Sequence, residues 1–163
     1  MQLRDESMTN KKVKVRVNLS GSRYVGYVSV YAPTLRVSDV LNDAKQFMTL
    51  SEVDSIDPVA KDISLVVNKS LIVYVQVIEE PKWTSHGGHT GDFIRVKIRT
   101  RGHHIEGDIY VATDMVAEDR AELLNRTPHF LNVRNAEIIG TKERYDFLAI
   151  STGQIRSLEI GIQ

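Results

Sequence analysis

Laying Val15 on Val96 brings Val17 onto Ile98, Gly21 onto Gly102, Gly26 onto Gly107, Val28 onto Ile109 and Val30 onto Val111, all at a shift of 81 positions. Further on the shift becomes 83 and holds. Leu41-Asn42 falls on Leu124-Asn125, Phe47 on Phe130, Leu50 on Val133, Leu65 on Leu148, Val67 on Ile150 and Ile72 on Ile155. Agreement between apolar residues is easily met by chance; two glycines, a Leu-Asn pair and a phenylalanine in one order are not. Such a repeat restricts the fold more than any local pattern, because each unit must be buildable within about 70 residues and must join its own kind.

The repeat divides the 163 residues into a tail (1–10), a first unit (11–79), a linker (80–92) and a second unit (93–163). The linker "EEPKWTSHGGHTGD" carries Pro, Gly-Gly, Ser and Thr with no periodicity. In each unit a strictly alternating segment comes first, the mark of a half-buried strand. Val13, Val15, Val17 and Leu19 form its apolar face, with Lys12, Lys14, Arg16 and Asn18 opposite. The second copy sets Ile94, Val96 and Ile98 against Arg95, Lys97, Arg99 and Arg101. Gly21 and Gly102 fit tight turns at positive φ. Gly26 and Gly107 lie inside the next strand, where glycine marks a bend or bulge. The spacing of Val37, Val40, Leu41 and Ala44 then predicts a short helix, matched less cleanly by Val116, Arg120, Leu123 and Leu124. Three short strands follow, around 47–53, 62–68 and 71–78 in the first copy. The expected fold is mainly β: two superposable five-stranded small β-barrels in tandem, each with one short helix, rather than one continuous sheet.

The segments "VNLSGSRYVGYVSVY" and "LVVNKSLIVYV" resemble the two motifs of the Sm-like (SH3-like) small β-barrel. "RVSDVLN…F" is similar to a signature of bacterial families of unknown function. The Sm-like resemblance implies five-stranded barrels that associate edge to edge, and an RNA-base pocket made by an Asp-x-x-Asn segment and an Arg-Gly pair. Asp39 and Asn42 keep the first spacing, with Glu122 opposite Asp39. The Arg-Gly positions hold Asn68-Lys69 and Ser151-Thr152, so the resemblance carries the barrel further than the base pocket.

Charge and chemistry narrow the function. Lys+Arg and Asp+Glu number 21 each, for a net charge of 0, whereas general nucleic-acid binders carry a basic excess that neutralises phosphates. There is no cysteine, hence no disulfide or thiolate metal site. No apolar run approaches the roughly 18 residues of a membrane span, and "MQLRDESMTNKK" lacks the apolar core of a secretory signal; a cytoplasmic protein is expected. His86 and His89 in "HGGH", with His103 and His104, lack a companion cluster that would complete four metal ligands, so they read as incidental and no metal or other cofactor is expected. No GxSxG, HExxH or phosphate-cradling glycine loop occurs, and the aligned positions are almost all apolar or glycine, which argues against a duplicated enzyme.

Asn42 and Asn125 are the repeated polar pair; asparagine ending a helix suits a left-handed C-cap. Trp83, the only tryptophan, is placed to anchor one unit on the other. The basic faces, Lys12, Lys14 and Arg16 with Arg95, Lys97, Arg99 and Arg101, read first as solvated strands kept from aggregating by charge. They are also the candidate phosphate track of the alternative. The expectation is therefore a non-catalytic assembly module whose partner is protein, either itself or a larger complex. The alternative is an Sm-like RNA-binding protein.

Overall fold

The computed structural model describes residues 10–32, 36–54, 63–78, 91–112, 121–127 and 129–161. In chain order the elements are β1 (Asn10–Leu19), β2 (Ser22–Tyr31), α1 (Val37–Leu41), β3 (Phe47–Leu50), β4 (Leu65–Asn68), β5 (Ile72–Val77), β6 (Gly91–Thr100), β7 (His104–Ala112), α2 (Ala121–Asn125), β8 (Phe130–Ile138), β9 (Arg144–Ser151) and β10 (Ile155–Ile160). Single 3-10 turns at Lys69–Leu71 and Thr152–Gln154 join β4 to β5 and β9 to β10. The protein is mainly β, as expected.

The alternating segments become the long hairpins β1–β2 and β6–β7, in which Val15 faces Gly26 and Val96 faces Gly107. Gly21 turns the first hairpin at φ 86°, a conformation glycine adopts without steric cost. Gly102 takes no left-handed angle; the second turn is closed by paired bonds between Thr100 and His103 instead. The strand glycines are needed for a different reason from turning. A Cβ on Gly26 would lie 3.0 Å from the Ser51 carbonyl oxygen, and one on Gly107 would strike the Val133 side chain and lie 3.0 Å from the Arg134 oxygen. At Gly107 the ladder to the neighbouring strand shifts register, as a bulge there would; Gly26 stays in register with Val15, and at both glycines a neighbouring segment approaches closely. Beside these contacts two non-glycine residues take positive φ, Glu52 at 51° just past β3 and Asn135 at 48° within β8. Next to them, Tyr27 bridges Ser51 and Asp108 pairs with Arg134.

Eight strands form one open sheet in the order β10-β6-β7-β8-β9-β5-β1-β2, and β3-β4 form a second, two-stranded sheet. The expectation that the halves would not share a sheet is therefore corrected: β5 pairs with β9. A strand edge presents a row of unpaired N–H and C=O groups, and pairing two such edges satisfies both. β6 also starts at Gly91, inside the stretch expected to be linker. Trp83, His86 and His89 lie outside the described residues, as do Val116 and Arg120.

Two apolar clusters form the core, and each borrows from the other half. Val13, Val15, Val17, Val28, Leu41, Leu50 and their neighbours take in Phe130 and Ala149. Val96, Ile98, Ile105, Ile109, Val133 and Leu148 take in Val73 and Tyr74. Burying a phenylalanine is worth roughly 2–3 kcal/mol, so this exchange ties the halves together. Both helices are single turns: α1 buries Val37 and Leu41 but ends before Ala44, which is exposed, and α2 buries Leu123. Such short helices hold only because an apolar face packs on the sheet. Among the described residues no helix is long and apolar enough to cross a membrane.

Candidate functional site

Several polar contacts cross where the halves meet. β5 and β9 run antiparallel, with Tyr74 opposite Ile150, Val75 opposite Ala149 and Gln76 opposite Leu148. Ile72 through Val75 are all buried, as are Leu148 through Ser151. Strand residues point alternately to opposite faces, so a continuous buried run means both faces are covered at this joint. Asn18, expected on the polar face of its strand, is 6% exposed. A register shift between Asn18 and Leu19 accompanies it, and its amide donates to the Tyr74 hydroxyl at 3.1 Å. The Tyr74 and His103 rings meet in a T-shaped contact, centroids 5.3 Å apart.

Asn42 does not cap its helix in the left-handed conformation. Its φ is −97° and ψ 2°, and its backbone N–H bonds the Ser38 carbonyl. The side-chain oxygen crosses to the other half, accepting from the N–H of His129 at 3.1 Å and of Phe130 at 2.7 Å. Asn125 makes no such crossing: its amide donates to Glu122 of its own helix at 3.2 Å. Gln154 donates to the Ser70 carbonyl at 3.2 Å, and Arg23 faces Glu143 at 3.6 Å, both across the joint. Burial pushes the Tyr74 hydroxyl above its ordinary pKa. It pushes the His103 imidazole below its own; the Arg23 charge adds to that and Glu143 opposes it.

A second surface lies on the far side of the first half. Phe47, Val66 and Leu71, on or beside β3 and β4, are 52%, 66% and 60% exposed. Beside them opens a cleft of about 520 Å³ whose walls include Tyr31, Asp39, Asp43, Phe47 and Lys69. Lys69, at an Arg-Gly position, is 6% exposed. Its ammonium is spent on structure, donating to the Val40 carbonyl at 2.7 Å and to Asp43 at 2.6 Å. Burial pushes the Asp43 carboxyl up, but the Lys69 ammonium and the Lys45 N–H outweigh it and hold the group below the usual carboxylate value. Phe130 stands in sharp contrast to Phe47: it is 3% exposed, under the Asn42 link.

The basic strand faces are not gathered into one track. β1 and β6 are separated by four strands of the sheet. Lys12 faces Glu52 at 3.6 Å, Arg16 donates to Gln76 at 2.9 Å, and Lys14 is half-buried. Arg95 meets Asp108 at 3.4 Å and Lys97 meets Glu106 at 3.9 Å, each directly across the β6–β7 ladder. Arg99 and Arg101 are exposed. His103 and His104 belong to the second hairpin, and among the described residues no three His, Cys, Asp or Glu side chains are grouped to hold a metal ion.

Sequence reasoning missed Asn18, Tyr74, His103, Lys69 and the inter-half role of Asn42. The available signal was the mismatch within aligned pairs: under the alignment Tyr74 falls on Ser157 and Lys69 on Thr152. A mismatch at an aligned position marks a place that the two halves use differently. No protein family, curated protein or solved structure matches the chain.

Proposed function

We propose that the chain is a non-catalytic assembly module: two tandem five-stranded units of the small-barrel type, fused edge to edge, that join protein partners through their remaining strand edges. The observation that carries this reading is the exposed apolar rim of Phe47, Val66 and Leu71 on a β3–β4 edge, since exposed apolar surface beside an unpaired strand is a pairing site. The tandem arrangement is supported by the matching pairs Tyr27–Ser51 and Asp108–Arg134, and by the left-handed Glu52 and Asn135 beside them. The non-catalytic part is supported by three of the four buried polar residues among those described, Asn18, Lys69 and Thr100, whose side chains hold structural bonds; His103 Nδ1 and His104 Nε2 are buried without a partner.

The test is light scattering after size exclusion, on the parent and on Val66→Lys. The parent is expected to exceed the mass of a single chain, and a lysine on the edge strand to return it toward one. A single-chain mass for both at every concentration would remove self-assembly.

A second reading, single-stranded RNA binding, draws on the exposed Arg99 and Arg101. Opposed by Asp108 and Glu106 across the ladder, Arg95 and Lys97 have little charge to spare for phosphates. With a labelled RNA strand, affinity near physiological salt is expected to be weak. Tight, salt-dependent binding that Arg95→Gln, Lys97→Gln and Arg99→Gln together abolish would put this reading first.

A further inference from the structure

The joint inside the chain is a template for a contact between chains. Its two surfaces are β5 with Asn42 on one side and β9 with the start of β8 on the other. Under the sequence alignment the counterpart of the first is β10 with Asn125, and the counterpart of the second is β4 with Gln46-Phe47. Both counterparts are open: among the described residues β10 pairs only with β6, and β4 only with β3. Phe130 is 3% exposed at the made joint, whereas its counterpart Phe47 is 52% exposed; Ala149 is 0% exposed and its counterpart Val66 is 66% exposed. The residues that burial would reward are the ones left uncovered.

Resting on the assembly reading above, we infer that β10 of one copy of this chain pairs antiparallel with β4 of the next, in the register of the internal joint. Leu158 then lies opposite Val66, as Val75 lies opposite Ala149. The Asn125 side chain turns from Glu122 to accept the N–H groups of Gln46 and Phe47, as Asn42 accepts those of His129 and Phe130. The contact is heterologous, edge to opposite edge, so each added copy presents a fresh β4 or β10 until the series closes or ends. It is weaker than the internal joint for two reasons. Arg156 and Ser157 replace the buried Val73 and Tyr74, and no covalent tether raises the effective concentration.

The chain has no cysteine, so single cysteines report the register directly. Val66→Cys protein is mixed with Leu158→Cys protein under mild oxidation, with each variant alone as control and unfolding curves to establish that both fold. The expected result is a mixed disulfide that forms several-fold faster than either homodimer, because only the head-to-tail contact brings these two positions within bonding distance. Asn125→Ala should slow that cross-link and leave the unfolding of the dilute protein unchanged. Homodimers forming as fast as the mixed species would overturn the inference in favour of a symmetric contact. Absence of any cross-link in a sample that light scattering shows to be oligomeric would overturn it while leaving the assembly reading in place. A single-chain mass would remove both.

Discussion

At the scale of single residues, Gly26 and Gly107 show how a correct signal can carry an incomplete reason. Glycine inside an alternating strand pattern pointed to a local irregularity, and the two residues do occupy corresponding places against Ser51 and Arg134. What the pattern could not reveal was which strand presses on them, because that strand is more than 20 residues away in sequence and its distance is set by tertiary packing. Gly26→Val should destabilise the protein by roughly 2 kcal/mol, the range for overpacking a tight site. Gly107→Val should cost more, because its Cβ would overlap the Val133 side chain outright, whereas one on Gly26 meets nothing closer than 3.0 Å. Urea denaturation of the two variants beside the parent checks this; a Gly107→Val protein with the parental midpoint would show that the β8 strand yields freely. Asn18 teaches the complementary lesson. Alternation assigned it to the solvent side, correctly for an isolated strand, but that side is covered at this point by Tyr74 and the second half.

Among the elements, the strands were legible and the helices only partly so. Two-residue periodicity over "VKVRV" and "IRVKI" survives into β1 and β6 because one face of each is buried by its own half. The apolar spacing after them marked α1 correctly but overran its end, since a helix of five residues is terminated by its contacts rather than by a sequence stop signal. Its last contact is the Asn42 side chain, which binds two N–H groups at the entry to β8. Asn42→Ala should cost about 1–2 kcal/mol, since the Phe130 N–H is left without its acceptor in a partly buried place. Asn125→Ala should stay within about 0.5 kcal/mol in the dilute chain, as for an exposed surface residue. Thermal unfolding of both variants measures the difference. Equal losses would mean that the two asparagines do the same work inside one molecule, and that Asn42 is a helix cap after all.

For the whole molecule, the aligned positions divide the chain into two parts but do not give their union. Each half supplies apolar residues to the other's cluster, and nothing in a list of aligned positions states that β5 of one half completes the edge of β9 in the other. The union also makes stability depend on pH. His103, packed on Tyr74 at the joint, has its pKa lowered on folding by burial and by Arg23. The unfolded chain then binds the proton more readily than the folded one, so stability is fully present above about pH 6.5 and falls as pH drops below that value toward the lowered one. Melting temperature followed from about pH 7.5 to pH 5 should decline more in the parent than in His103→Gln. Identical slopes would show that the imidazole reaches water in the folded state.

The borrowed core residues have a consequence for synthesis on the ribosome. The valines of the first half are complete in sequence by Val77, but Phe130 and Ala149 of their cluster emerge only after most of the second half has been translated. At typical elongation rates that interval is on the order of ten seconds, during which the nascent first half holds an unfinished core and an uncovered β5. A chain whose synthesis stops before β8 therefore lacks both the strand that pairs with β5 and the apolar residues that complete the first cluster.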